Sequence, residues 1–140
     1  MLALLLIVMI LGRSAALRQN APASHEGTNE TAAESPTGKT VALIIRSTDS
    51  PERHDYVAWH DGMTVADLLT AASHLPKGIQ FAQRGSGESA LLTEINGVAN
   101  EGGGGRNWTY SVDDKEADRS FAVLQLRPDD HVLWTFTAKQ

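Results

Sequence analysis

From Thr64 to Leu75 the sequence TVADLLTAASHL places Val65, Leu68, Leu69 and Ala72 at helical spacing, the one convincing helical pattern in the part of the chain expected to fold, from Thr40 onward. A stripe of that kind lines one side of a helix and has to be buried. Thr64 is suited to cap the helix, with Asp67 three residues on as the capping-box partner and as a negative charge at the positive helix end. Pro76 and Gly78 mark its stop. A single amphipathic helix needs a sheet to cover it, so the rest of the fold is expected to be strands.

The flanking sequence meets that demand. Thr40 to Ser47 (TVALIIRS) is rich in β-branched and aliphatic residues and too short for a helix, which predicts a strand with both faces partly covered. His54 to His60 alternates, Val57 and Trp59 on one face and His54, Tyr56, Ala58 and His60 on the other. Asp49-Ser50-Pro51-Glu52 between them is turn chemistry, so the pair reads as an opening hairpin. After the helix, further short strands are expected at Ile79–Gln83, Ala90–Ile95, Trp108–Val112, Phe121–Leu126 and His131–Thr137. Trp108, Tyr110 and Val112 share a face, as do Val132, Trp134 and Phe136, and two such rows predict paired strands with aromatic cross-strand contacts. Asp113-Asp114 and Pro128-Asp129-Asp130 are the expected turns. The predicted fold class is α+β, a β-grasp-like, mostly antiparallel or mixed sheet wrapped on one helix, running from residue 40 to residue 138.

Two segments precede it. Met1 to Leu11 (MLALLLIVMIL) is an unbroken apolar run, about half of the ~20 residues a membrane-spanning helix needs. Its length suits a secretory signal peptide, with Ser14, Ala15 and Ala16 as a cleavage region. Because no Lys or Arg precedes the run and Arg13 follows it, an uncleaved signal anchor is the other reading of residues 1–17. Residues 18–39 hold no branched aliphatic or aromatic side chain after Leu17 and are expected to form a flexible linker. The expected location is therefore outside the cytoplasm: periplasmic, cell-surface or secreted. The formal net charge of −5 speaks against nucleic acid, which calls for a basic patch, and leaves the leader as the only expected membrane contact. The chain contains no cysteine, so disulfides, thiolate metal sites and cysteine nucleophiles are excluded.

With those elements in place, Leu92 to Phe136 resembles the bacterial domain family related to the C-terminal β-domain of transcobalamin and intrinsic factor. Ile95-Asn96-Gly97, Trp108-Thr109-Tyr110-Ser111-Val112 and the closing Leu126-to-Phe136 segment match that family's elements in order, and Gly62-Met63-Thr64-Val65 matches its helix start. The chain departs where Asp113-Asp114 replaces Asn-Gly and Asp129 replaces a closing glycine. The resemblance implies a β-grasp fold and a role in binding a ligand or partner outside the cytoplasm. In transcobalamin-like proteins the corresponding domain covers a cobalamin held mainly by a separate helical domain, and this chain offers no such helical partner.

Enzymatic signatures are weak. His54 and His60 lie on one strand face but roughly 20 Å apart, too far to share a metal ion. Gly102 to Gly105 and Gly85-Ser86-Gly87-Glu88-Ser89-Ala90 each run into a strand, so neither provides the helix N-terminus that makes such loops bind phosphate. No nucleophile elbow occurs. The reading is a non-enzymatic module with no cofactor and no metal, whose partner is an unidentified small ligand or an exported protein. The alternative is a cell-surface interaction or structural module with no small-molecule ligand. The candidate binding residues are Asn96, Asn100, Arg106, Asn107 and Trp108, on and beside the Gly97–Asn107 loop, which is long for a hairpin connection and delivers donors beside an aromatic wall. Asn29-Glu30-Thr31 and Asn107-Trp108-Thr109 also fit the N-glycosylation pattern.

Overall fold

A computed structural model describes residues 38–138; the leader and all but the end of the linker lie outside them. The order is β1 (Thr40–Ser47), β2 (Ser50–Ala58), α1 (Val65–Ser73), β3 (Phe81–Arg84), a 3-10 turn (Gly87–Ser89), β4 (Leu91–Ile95), β5 (Val98–Ala99), β6 (Arg106–Val112), β7 (Lys115–Glu116) and β8 (His131–Ala138). Five strands form one sheet in the order β2-β1-β8-β6-β7, and β3-β4-β5 form a second, smaller one. β1 and β8 are parallel, while every other pairing is antiparallel. This is an α+β chain, mostly sheet, with a single α-helix among the described residues.

The helix forms where its pattern places it. Asp67 N–H donates to Thr64 Oγ1 and Thr64 N–H to Asp67 Oδ2, a reciprocal capping box. Val65, Leu68, Leu69 and Ala72 are all buried, and the helix packs on β1 and β2. The stop is steric as well as conformational: a Cβ at Gly78 would lie 2.1 Å from the Ser73 carbonyl oxygen.

The core faces of β1 and β8 contribute Val41, Leu43, Ile45, Val132, Trp134 and Phe136. The two aromatic rows meet as their alternation predicts, with Trp108 opposite Phe136, Tyr110 opposite Trp134 and Val112 opposite Val132. Tyr110 stacks on Trp134 at 4.7 Å between centroids, and Trp108 tilts against Phe136 at 5.2 Å. No polar or charged residue is buried among those described.

Two expectations need correction. Phe121–Leu126 is not a strand but a turn with one isolated bridge, Thr64 to Gln125. Its carbonyls are used elsewhere: Phe121 O accepts from Ala66 N–H and Leu124 O from Val65 N–H. Those are orphan donors of the first helical turn, so the segment caps the helix, with Phe121 and Leu126 buried as anchors. The opening hairpin is also tighter than the turn chemistry suggested. Ser47 pairs with Ser50 across Thr48-Asp49, and the register slips between Ile45 and Ser47. β2 therefore starts at Ser50, and Pro51 falls in that slip on an edge strand, where proline is tolerated.

Candidate functional site

The chain turns back on itself at two points that end up side by side. One is the Ser47–Ser50 turn joining β1 to β2, and the other is the Asn96-Gly97 turn joining β4 to β5. Between them lies a cleft of about 310 Å3, lined by Ile45, Asp49, Pro51, Arg53, Ile95, Asn96, Val98 and Trp108 together with Ser47 and Ser50. Ile45, Ile95 and Trp108 are buried and make an apolar floor, while Asp49 and Asn96 are exposed on the rim. Arg53 is held over the rim by a two-point pair with Asp55, at 2.6 and 3.0 Å. Two larger depressions exist, one of about 460 Å3 beside the β6–β7 hairpin and one of about 480 Å3 on the uncovered sheet face. Both are more open than the cleft and have no comparable buried floor.

Of the five candidate residues, two line this cleft and three stand outside its lining. Asn96 and Trp108 line it directly. Asn96 adopts the left-handed conformation, φ 49°, and its side-chain oxygen accepts from Gln80 N–H at 2.9 Å. Trp108 presents its ring to the floor, while its indole N–H donates to Val98 O at 2.8 Å. Asn100 stands behind the floor and acts as a bridge. Its amide donates to Leu92 O on β4 at 2.7 Å and accepts from Trp108 N–H on β6 at 2.8 Å.

Arg106 stands outside the cleft's lining and reaches its rim through Asp49. Its guanidinium donates to Glu101 at 2.8 and 3.0 Å, to Thr48 Oγ1 at 3.1 Å and to Asp49 Oδ2 at 3.4 Å, and lies 4.9 Å over the Phe136 ring. It thereby ties the glycine loop to the hairpin turn that rims the cleft. The hydrogen bonds from Arg106 hold the Glu101 carboxyl below its ordinary range and raise the Arg106 value in return. Asn107 fills the glycine loop itself, accepting from Gly102 N–H and donating to Gly102 O and Gly105 O. Gly102 and Gly104 have φ of 85° and 82°, a conformation that glycine adopts without strain.

Sequence reasoning did not reach the opposite wall. Ile45, Asp49, Pro51 and Arg53 sit more than forty residues from Asn96 in the chain, and no local pattern signals that pairing. Glu101 was the most accessible omission, an acidic residue five positions before an arginine across a glycine run. The histidines stand apart from the cleft. His131 lies 3.6 Å from Asp113, with both side chains more than half exposed. Among the described residues no three His, Cys, Asp or Glu side chains gather as a metal-binding set.

Residues 62–138 match the family described as "Domain of unknown function (DUF4430)", which is more than half of the 140 residues. The chain belongs to that family. No curated protein matches. Among solved structures, a "putative metal binding protein" from Ruminococcus gnavus ATCC 29149 superposes with a TM-score of 0.60 at 10% identity, covering 73% of this chain and 99% of that one. Haptocorrin in complex with Cbi superposes with a TM-score of 0.55 at 14% identity, covering 71% of this chain. The chain spans only 25% of haptocorrin's length. At these identities the likeness establishes fold. The DUF4430 chain thus shares its fold with part of haptocorrin, the likeness of fold that the Ile95-Asn96-Gly97 and Trp108-to-Val112 motifs led one to expect.

Proposed function

We propose that this DUF4430 chain is an exported, non-enzymatic ligand-binding module of the transcobalamin C-terminal type, built as a β-grasp, with the cleft beside Asn96 and Trp108 as its binding site. The β-grasp reading is supported by a hairpin followed by one helix, and by a sheet in which the first and last strands pair in parallel at the centre. The cleft carries the functional reading. It joins a buried apolar floor to a few polar groups at the rim, the usual composition of a small-ligand site, and at about 310 Å3 it lies at the low end of their size range. A macrocycle would not fit inside, so a large ligand would rest only an edge or a substituent there, with a second protein holding the rest. Strand addition at the β2 edge is the less favoured mode, because Pro51 and the charged run Glu52-Arg53-His54-Asp55 are features that discourage edge pairing.

The test uses the immobilised full chain and the variant Ser50→Trp, which places a bulky ring on the exposed rim. Small-molecule extracts are passed over both, and retained compounds are identified by mass spectrometry, with Cbi as a defined first probe. A compound kept by the wild type and released by Ser50→Trp is the expected result. Equal retention of every compound by the two proteins would remove the cleft from consideration. Export is tested separately by fractionating cells that express the full chain, where unprocessed soluble protein in the cytoplasm would refute it.

A further inference from the structure

The cleft between the two turns has two charged side chains in its lining, Asp49 and Arg53, and they are not balanced alike. The Arg53 guanidinium is closed by its two-point pair with Asp55, and the two side chains are 29% and 13% exposed. The Asp49 side chain is 58% exposed. Its one ionic contact among the described residues is with Arg106 Nη1, at 3.4 Å. That guanidinium makes three shorter bonds elsewhere, two to Glu101 and one to Thr48 Oγ1.

One guanidinium thus serves two carboxylates, and the nearer of them is Glu101. Across the ion pairs that border the cleft, the cations Arg53 and Arg106 face the anions Asp49, Asp55 and Glu101. The Arg46–Glu52 pair on the same hairpin is closed on itself at 2.5 Å and shifts this balance neither way. The surplus negative charge sits at Asp49, on the rim of a cleft whose floor is Ile45, Ile95 and Trp108.

We infer that the cleft selects an amphipathic cation, an apolar body about the size of one aromatic ring that ends in a protonated amine at Asp49; this rests on the reading of the cleft as the ligand site. Size and charge set the class. A dry cavity of about 150 Å3 takes a benzene, so about 310 Å3 has room for one ring and a short arm. An anion would meet Asp49 with no cation to offset it, because Arg53 and Arg106 are already engaged. A neutral ligand gains only the burial of its apolar surface. An ammonium group adds the countercharge that Arg106 supplies incompletely. It keeps part of its hydration at an open rim, so the desolvation that offsets buried ion pairs is largely avoided. For the same reason the attraction is modest and sensitive to salt.

The probes are 2-phenylethylammonium, its neutral counterpart 2-phenylethanol and the anion 3-phenylpropionate. Each is titrated at low salt into the 15N-labelled full chain while the backbone amide signals of Ser47 and Asn96, one from each turn, are followed. The expected result is a saturable shift of both signals at millimolar ammonium. The alcohol should bind about three- to tenfold more weakly, the scale of one charge pair in water, and the propionate more weakly still. The preference should shrink as sodium chloride is raised, and Asp49→Asn should bring ammonium and alcohol to one affinity. Equal affinity for ammonium and alcohol in the wild type, a preference for the propionate, or a preference that survives Asp49→Asn would each overturn the inference. If the two bind the wild type equally and both are lost in Ser50→Trp, the cleft stands as a ligand site and only its charge selectivity falls. If none of the three probes moves either signal, the selectivity falls too, and the extract screen alone judges the cleft.

Discussion

Asn100 does the work of a missing strand with a single side chain. Its amide presents a donor to Leu92 O and an acceptor to Trp108 N–H, the same two groups a peptide unit would offer between β4 and β6. Replacing it with alanine leaves a part-buried backbone donor and acceptor unpaired, so Asn100→Ala is expected to cost about 1–3 kcal/mol in urea denaturation, more than an ordinary surface substitution. Nothing in the sequence distinguishes Asn100 from Asn96 or Asn107 as the bridging residue, because all three flank the same glycine-rich stretch; only the spatial partners separate a turn former, a bridge and a loop filler. A further expectation concerns acid. Glu101 is held below its ordinary value of 4.5, first by its side-chain hydrogen bond with Arg106. The sign follows: a carboxyl depressed in the folded state stabilises the loop above the ordinary value, and that hold is lost as pH falls through the lower folded value. Carboxyl NMR titration should place Glu101 below 4.5, and Arg106→Ala should return it toward that value.

Among the elements, the β6–β7 hairpin shows how a turn is set. Asp113 and Asp114 both take left-handed backbone, φ 47° and 63°, the geometry of a two-residue turn that usually recruits Asn-Gly. Asp113 has a compensating role, since its carboxylate accepts from His131 N–H at 2.9 Å. Asp114 shows no such bond, and it remains in a conformation that costs a residue with a Cβ. Asp114→Gly is therefore expected to stabilise the protein by about 0.5–1 kcal/mol, read as a higher melting temperature, while Asp113→Gly should show no such gain. The position of this turn was legible from the two aspartates that follow the Trp108–Val112 row, and the pairing of that row with Val132, Trp134 and Phe136 was legible from strand alternation. The Phe121–Leu126 segment was not. Its short apolar run, FAVLQL, reads like a strand's, but the donors it serves belong to a helix almost sixty residues earlier, and a local pattern carries no information about a distant need. Helix α1 was legible for the opposite reason: its cap, stripe and stop all lie between Thr64 and Gly78.

At the scale of the whole molecule, the cleft lies along the boundary where the small sheet adjoins the large one. Trp108 of β6 closes its floor. No periodicity in the sequence could reveal it, since it is assembled from segments far apart in the chain. The large sheet depends in turn on β8, which lies between β1 and β6 and supplies Val132, Trp134 and Phe136 to the core. Removing residues 131–138 would separate β1–β2 from β6–β7, so the truncated chain is expected to lack a cooperative thermal transition altogether, a result that circular dichroism would read directly. The same placement governs timing. The strand that joins the two halves is the last of the described elements in chain order, so the sheet cannot close until every other strand has been made. Until β8 emerges, the edges of β1 and β6 that it will cover stand open, and whatever has already formed on either side waits for it.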